Sequence, residues 1–360
     1  MPTQLPEDSL AKIHAGRMEH KVKVVILNAF RMDNLKECLE SVGRTEYPNF
    51  EVMVVDFQTA GIDKYLGREF PDSELLSLDS DVGPSAMHNL AIKSCERDIE
   101  FVAFLDSDTV VEPKWLREMV DAISADAKIG AAQAKILLYD KKNKLNTRGN
   151  LANFLAVGWP DGFGENDGAS LEVRDISFPS GAAMILRKEA AIDVGMFDED
   201  FFIYADDLDF GLRLRLAGYR IISCPSSRVY HKYGFMRNRR GFFYLNRNRI
   251  WTFLKLYDKR KTYVSLLPAA IAYELSVATY AATNGLTEEL LRCYLDAFRR
   301  LGNIREKRKK IKIYRSLSDL DLIKSLEGGV RFAELRRFWL VTSFLNPFLD
   351  RYRDFIVGLR

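Results

Sequence analysis

Short apolar runs alternate with helix-like segments over the first two thirds of the chain. Between the runs, segments with apolar residues one helical turn apart predict helices, and the stretch from Gly83 to Cys95 opens with Gly-Pro, which is typical of a helix start. Strands that alternate with helices predict an α/β fold with a mainly parallel central sheet. Four runs are typical of buried strands: VKVVILNAF (22–30), FEVMVVD (50–56), ELLSLD (74–79) and EFVAFLD (100–106).

Polar side chains stand where three of these strands end. Asn28, Asp56 and Asp106 close the first, second and fourth strands. In open α/β sheets ligands bind beyond the carboxyl ends of the strands. Asp106 is followed by Ser107 and Asp108, and two carboxylates buried without partners would each cost several kcal/mol. The pair is therefore either a Mg²⁺ or Mn²⁺ site or a capped turn that faces water.

A second acidic cluster lies in YADDLDFGLRLRLAGYR, where Asp206, Asp207 and Asp209 precede or begin a predicted helix. Acids stabilise a helix N-terminus, but three acids in four residues exceed what capping needs. Their mutual repulsion raises one pKa, which suits a general base near neutral pH. His231, which follows a later strand, is either a structural histidine or a metal ligand.

The C-terminal third is helical in pattern. Residues 262–283 are apolar but interrupted by Pro268 and Glu274, which favours an interfacial or protein-packed helix over a membrane-spanning one. Residues 299–315 then carry nine Lys or Arg and one Glu, a composition that suits an anionic lipid surface or a solvated helix face. No nucleic-acid-binding pattern accompanies this run, so we expect no nucleic-acid partner.

Composition adds two limits. The net charge of +3, from 53 basic and 50 acidic side chains, is too balanced to imply nucleic-acid binding by itself. The four cysteines are isolated, with neither a zinc spacing nor a redox pair, and suggest a reducing compartment. Residues 1–20 contain no apolar signal-peptide region and are expected to form a loosely docked tail.

Taken in order, seven motifs resemble the family 2 glycosyltransferases, which are inverting enzymes of the Rossmann-like GT-A fold that use nucleotide-sugar donors. The resemblance runs from about Val22 to about Lys255. It implies a GT-A domain at 21–257 followed by a helical region at 258–360. The motifs are VVILNAF, VMVVDFQTA, DVGPSAMHNLAI, FLDSDTVVEP, SGAAMILRKEA, FFIYADDLDFGLRLRLAGYRI and VYHKYG.

The resemblance also implies roles for single residues. Asp106 and Asp108 match the family's Asp-x-Asp, which holds the cation that bridges the donor diphosphate, with Asp108 as the more direct ligand. His231 matches the family's metal-facing histidine. Asp56 matches the acid that contacts the nucleoside base, and Asn28 lies where the family lines the nucleotide pocket.

The family usually has Glu-Asp before the late helix, whereas this chain has Asp206-Asp207. Asp207 is then the expected general base, and the departure at Asp206 leaves open which of the two acids acts. The DDxD form resembles galactofuranosyl-transferring members, and the resemblance between about Val22 and Lys255 is to the rhamnosyl- and galactofuranosyl-transferases of the family. Arg247 and Arg249 are candidate phosphate contacts of the donor or of a lipid-linked acceptor, or else belong to a solvated helix face.

The function expected from the resemblance is metal-assisted, inverting transfer of a hexosyl or deoxyhexosyl group. The donor is a UDP- or dTDP-sugar, and the acceptor is a glycan or a lipid-linked glycan of the cell envelope. The enzyme would work in the cytoplasm, at the inner face of the membrane. Two alternatives are a nucleotidyltransferase, which normally shows a Gly-rich loop that VVILNAFRMDN lacks, and a non-catalytic binding or scaffold protein with the same fold.

Overall fold

The computed structural model describes residues 19–168, 172–234, 238–332 and 341–358. Nearly all of the predicted tail at 1–20 lies outside these residues. The centre of the protein is a ten-stranded sheet, and its first half is parallel in the order β4-β1-β2-β3. These four strands confirm the predicted ones: β1 Val22–Ala29, β2 Phe50–Phe57, β3 Glu74–Leu78 and β4 Phe101–Asp106.

The register of the parallel strands brings their polar ends together. Asn28 lies opposite Asp56 on the neighbouring strand, and Leu27 lies opposite Asp106. The polar residues that end β1, β2 and β4 therefore share one edge of the sheet, which we call the site edge.

The first four strands form the predicted parallel part of the sheet, and the second half is mixed. Strand β11 runs antiparallel between β4 and β6, while β12 is parallel to β6. Because β11 starts at the site edge with Ala183 opposite Leu105, its preceding loop lies next to Asp106. The further strands are β5 Thr109–Val111, β6 Ile129–Leu138, β7 Lys141–Thr147, β8 Asn150–Ala152, β9 Gly158–Pro160, β10 Arg174–Asp175, β11 Ala183–Arg187 and β12 Arg220–His231; of these, β8 and β9 form a separate pair.

Helices cover both faces of the sheet, which explains why the strands are continuous apolar runs. Along β1, Val24 and Ile26 belong to one buried cluster and Val25 and Leu27 to the other. Because successive side chains point to opposite faces, both sets must be apolar. The helices of this part are α1 Met32–Val42, α2 Ile62–Glu69, α3 Gly83–Ser94, α4 Trp115–Ser124, α5 Lys188–Asp193 and α6 Asp206–Leu216.

The C-terminal helices share a core with the sheet domain. Leu208 and Leu212 of the sixth helix belong to the same buried cluster as Leu266, Leu322 and Leu349. The predicted boundary near residue 257 stays a prediction, since packing is continuous across it. The later helices are α7 Arg239–Leu256, α8 Arg260–Thr283, α9 Thr287–Arg299, α10 Leu301–Tyr314, α11 Asp319–Lys324 and α12 Asn346–Val357.

Helix α8 contains Pro268 and stays helical on both sides of it. Among the described residues it is the one helix long and apolar enough to cross a membrane, judged by length and composition only. One of its faces packs on the protein through Leu266 and Ala269, both fully buried.

Candidate active site

Two acids and a histidine come together at the site edge. Asp106 ends β4 and Asp108 follows it, while β12 pairs with β5 so that His231 lies opposite Thr109. His231 Nε2 is 3.2 Å from Asp108 Oδ1, and one ligand atom from each of the three residues lies within 4.8 Å of the other two. Carboxylate oxygens with one imidazole are a donor set that fits Mn²⁺ or Mg²⁺.

The other ring nitrogen of His231 has a partner that the sequence did not reveal. Nδ1 lies 3.0 Å from Oδ1 of Asn146, which is buried on β7. With the amide oxygen accepting from Nδ1–H, the tautomer leaves Nε2 free to bind a cation. Asn146 lies in the loop-like stretch 140–175, where no pattern marks it as functional.

The three residues carry excess negative charge. Burial, together with the charge of Asp108, raises the pKa of Asp106 to about 7. Burial alone would lower the pKa of His231, but its hydrogen bond to Asp108 and the charges of both acids outweigh this and raise the pKa. A divalent cation would relieve this repulsion, which is the physical reason to regard the trio as a metal site.

The residues predicted to line a nucleotide pocket lie at the ends of β1 and β2. The buried carboxylate of Asp56 accepts hydrogen bonds from Asn28 Nδ2 at 2.7 Å and from the Thr59 backbone N–H at 2.9 Å. Asn28 Nδ2 also donates to Thr59 Oγ1 at 2.9 Å. Asn28 Oδ1 is buried and accepts no hydrogen bond from the described residues. Thr59 was not predicted.

Asp206 and Asp207 begin α6 and lie beside the candidate metal ligands Asp106, Asp108 and His231. Ser85 Oγ donates to Asp206 Oδ2 at 3.1 Å, and the Leu208 N–H donates to Asp207 Oδ1 at 2.8 Å. Burial raises the pKa of Asp206 to about 6, and burial with the charge of Asp206 raises the pKa of Asp207 to about 8. Asp106 N–H donates to the Ala182 carbonyl oxygen at 3.2 Å, and the backbone of the preceding Gly181 contacts the Asp207 carboxylate, so the two acid clusters adjoin. The charge of Asp106 also contributes to the raised pKa of Asp207.

The third acid of that cluster is structural. Asp209 is buried and pairs with Arg213 Nε at 2.8 Å and with Lys255 Nζ at 2.8 Å. Lys255 is itself buried and also pairs with Asp198 at 2.6 Å. The three acids therefore have two different roles. Asp206 and Asp207 face the site, whereas Asp209 links α6 to α7 through its ion pair with Lys255.

The segment 201–205, which we call the clamped loop, leads into Asp206 in a strained conformation. Phe202, Tyr204 and Ala205 have φ of 64°, 67° and 56°. Each such residue other than glycine costs about 1–2 kcal/mol. Gly83 at the start of α3 allows this loop to approach, because a Cβ there would lie 2.4 Å from the Phe202 carbonyl oxygen.

Asn248 of α7 holds the clamped loop in place by hydrogen bonds to its backbone. Its side chain is fully buried, and Nδ2 donates to the carbonyl oxygens of Phe201, Ile203 and Tyr204 at 3.1, 2.9 and 2.7 Å. Arg247 Nε donates to Asn248 Oδ1 at 2.9 Å and fixes the amide orientation. Sequence reasoning missed Asn248, since a single Asn in a helix carries no signal of its own.

The two arginines predicted as phosphate contacts have internal partners. Arg247 Nη2 donates to the carbonyl oxygens of Asp200 and Phe201, and its guanidinium stacks 4.2 Å from the Trp251 ring centre. Arg249 pairs with Glu274 of α8 at 2.7 Å. Both are buried, so neither is part of a solvated face, and the geometry favours a supporting role. A direct phosphate contact of Arg247 stays a prediction.

Comparison with known proteins agrees with this geometry. The chain belongs to the family described as Glycosyltransferase like family 2, whose model matches residues 20–253.

Three relatives are similar to part of this chain. The chain is 28% identical to the O-antigen biosynthesis protein RfbC of Myxococcus xanthus over 229 residues, 59% of this chain and 17% of that protein. It is 29% identical to the pre-mycofactocin glycosyltransferase of Mycobacterium tuberculosis (strain ATCC 25618 / H37Rv) over 190 residues, 52% and 38% of the two chains. It is 40% identical to the N-acetylglucosaminyl-diphospho-decaprenol L-rhamnosyltransferase of the same strain over 58 residues, 16% and 19%. The chain thus spans less than two fifths of each of these relatives.

Solved structures confirm the expected GT-A-type α/β fold. GalNAc-T7, crystallised with UDP, GalNAc and Mn²⁺, matches with a TM-score of 0.56 at 14% identity, over 70% of this chain and 51% of that one. Residues 1–349 of TarS from S. aureus match with a TM-score of 0.50 at 16% identity, over 94% and 92%. The second match extends across the C-terminal helices as well as the sheet domain.

Proposed function

We propose that the protein is an inverting glycosyltransferase that moves a sugar from a nucleotide-diphosphate donor to a glycan or lipid-linked glycan acceptor. The observation that carries the proposal is the placement of Asp207 beside the Asp106, Asp108 and His231 trio at the site edge. Family membership supports it, as do the names of relatives in O-antigen and lipid-linked sugar synthesis. The donor is proposed to be a UDP- or dTDP-sugar.

Asp106, Asp108 and His231 would hold Mg²⁺ or Mn²⁺. Bound there, the cation would offset the negative charge that develops on the departing diphosphate. Asp56, at the end of β2, would contact the nucleoside base, and Asn28, at the end of the neighbouring β1, would line the pocket beside it.

Asp207 would remove the proton from the acceptor hydroxyl as that hydroxyl attacks the anomeric carbon. Its raised pKa makes the carboxylate a better base than an ordinary aspartate at neutral pH. Asp206 would keep that pKa raised through its own charge. A single base on the acceptor side, with no second carboxylate acting as nucleophile, predicts inversion at the anomeric carbon.

The test uses purified full-length protein with a panel of nucleoside diphosphates and their sugars. Asp207→Asn should lower transfer by about 10²–10⁴-fold and leave donor binding unchanged. Asp108→Ala should abolish the metal-dependent thermal stabilisation by the preferred nucleotide, and the exposed Asp63→Asn serves as a matched control. The anomeric configuration of the product is read by NMR, and retention would refute the mechanism.

The same panel separates the alternatives. A nucleotidyltransferase would form a sugar nucleotide from a sugar phosphate and a nucleoside triphosphate. A scaffold protein would bind a nucleotide without turnover, or bind none. Undiminished transfer by Asp207→Asn would remove that residue from the mechanism while leaving the enzyme class standing.

We also propose that the protein works in the cytoplasm at the inner face of the membrane. Support comes from the apolar helix α8. The basic segment 299–315 that follows it adds less, because Lys307, Lys312 and Arg315 pair with acids of the protein. A relative named for a decaprenol-linked substrate is consistent with a lipid-linked acceptor.

A further inference from the structure

The outward face of α8 is an apolar stripe without cover from the described residues. Val264, Leu267, Ile271 and Leu275 are between 50% and 63% exposed. They follow one another at three or four residues, so they lie on one side of the helix. Contiguous exposed apolar side chains on a soluble domain mark an interaction site.

The opposite face of α8 is fastened to the protein. Leu266, Ala269 and Ala281 are fully buried, and Glu274 pairs with the buried Arg249 of α7. Removing α8 from the domain would expose this apolar face and leave a buried charge unpaired, which is strongly unfavourable. The helix therefore presents its stripe while lying along the protein.

Charge at one end of α8 identifies the partner. Lys259, Arg260 and Lys261 are exposed and form no ion pair with any residue in the described ranges. Arg260 stands four residues before Val264, so the positive charge continues the stripe. Glu274, the single acid of the helix, is already neutralised by Arg249. An apolar stripe with an unopposed basic start complements an anionic lipid surface.

The neighbouring helix α9 carries a second row of the same kind. Leu291, Leu295 and Phe298 are 53% to 73% exposed at a helical spacing of four and three residues. Arg299 ends the helix directly after Phe298. The exposed apolar area near α8 is thus larger than one helix face provides.

We propose that α8 docks the protein on an anionic bilayer, with its axis in the plane of the membrane. The stripe Val264, Leu267, Ile271 and Leu275 enters the headgroup boundary, and the triplet 259–261 contacts lipid phosphates. Docking would bring the site edge to a lipid-linked acceptor, so the purpose of the docking rests on the proposed function. Lipid binding itself is independent of catalysis.

The experiment is co-sedimentation of the full chain with phosphatidylcholine vesicles and with vesicles containing phosphatidylglycerol. Binding to the anionic vesicles should be at least tenfold stronger and should weaken as salt rises. The double variant Ile271→Glu with Leu275→Glu should lose tenfold or more, while Ile192→Glu, on an exposed apolar residue of α5, should match the unaltered protein. Replacing Lys259, Arg260 and Lys261 by Gln should weaken binding to the anionic vesicles and reduce its salt dependence, whereas a control with Lys64, Lys114 and Lys141 replaced by Gln should leave both unchanged.

Three outcomes would overturn the proposal. Equal binding by the unaltered protein and the double variant would place lipid contact elsewhere. A dimer in solution that the double variant converts to monomer, without vesicle binding by either, would make the stripe an interface between copies of this chain. Resistance of membrane-bound protein to extraction with alkaline carbonate would show a spanning helix rather than an in-plane one. Far-ultraviolet circular dichroism of each variant verifies that it is folded.

The proposal and the proposed function fail separately. Donor hydrolysis in the absence of vesicles should be unchanged in the double variant. Vesicle binding should be unchanged in Asp207→Asn. Loss of one activity without the other therefore shows which inference is wrong.

Discussion

The clamped loop offers a prediction whose magnitude follows from the structure. In Asn248→Ala the loop loses the two N–H donors of the amide, which three carbonyl oxygens share. At about 1 kcal/mol for each N–H, the loss is about 2 kcal/mol. The three positive-φ residues of the loop hold strain of about 3–6 kcal/mol in total. Because this strain is at least as large as the lost stabilisation, the loop should relax once the amide is gone.

Relaxation would move Asp206 and Asp207 but not the trio on β4 and β12. A loss of about 2 kcal/mol makes the competent arrangement about 30-fold rarer, at 1.4 kcal/mol for each factor of ten. We therefore expect kcat to fall between 10- and 100-fold while the Kd for the nucleoside diphosphate with Mn²⁺ stays within twofold. Steady-state kinetics and isothermal titration calorimetry measure the two quantities.

Asn246→Ala is the matched control, since Asn246 lies two residues away on the same helix and, among the described residues, its side chain donates only to the Phe242 carbonyl oxygen at 2.9 Å. It should keep kcat within about twofold. The reasoning is refuted if both variants behave alike, or if Asn248→Ala loses nucleotide binding in proportion to transfer. The second result would mean general unfolding rather than displacement of the base.

Three further predictions follow from the site and its packing. In Asp206→Asn the pKa of Asp207 should fall, because a neighbouring negative charge is removed, so the acid limb of kcat/KM should move to lower pH; an unmoved limb would contradict the coupling. Metal-free protein should lose thermal stability as pH rises from 5 to 8.5. The folded-state pKa values of Asp106, Asp206 and Asp207, about 7, 6 and 8, lie above the value of an unfolded aspartate. The protonated acids therefore contribute their full stability only below about pH 4, and this contribution is lost as the pH rises through the folded-state values. Mn²⁺ should reverse the loss, and a flat stability profile with chelator would argue against buried acids. Gly211→Ala should destabilise the protein by about 1–3 kcal/mol in urea titrations, because its Cβ would lie 2.4 Å from the Phe178 Cβ, whereas Gly302→Ala, with open space around it, should be neutral or stabilising by up to about 1 kcal/mol.

Much of the sheet domain could be predicted because its signals are local. The first four strands are apolar on both faces, and their ends are marked by Asn28, Asp56 and Asp106, so the pattern alone located the site edge. The antiparallel β11 was not foreseen, since nothing in AMILR distinguishes a strand by direction. Strand direction depends on where the long connection from 140 to 180 returns the chain, and that is a tertiary property.

The roles of buried polar residues could not be predicted for a related reason. Arg247 and Asn248 are polar residues on a helix, and the sequence cannot show that the carbonyl groups 40 to 50 residues earlier face them. From the sequence alone Asp209 is indistinguishable from the neighbouring site acids. Its ion pairs with Arg213 and Lys255 show that its role is structural. In each case a partner distant in sequence decides between a structural and a functional role.

The surroundings of the acids divide them into two kinds, and this division bears on function. Asp209 and Asp198 are buried with cationic partners, and the pKa of Asp198 is held well below its usual range by Lys255 and Lys307 despite burial. Asp106 and Asp207 are held close to other acids, with no cation from Lys or Arg paired to them within the described ranges, and their pKa values rise instead. A fold selected for stability alone would pair the second group as it pairs the first. Binding of a cation or of a proton would relieve the repulsion between these acids. The acids that destabilise the metal-free protein are therefore the ones proposed to hold the cation and to accept the proton.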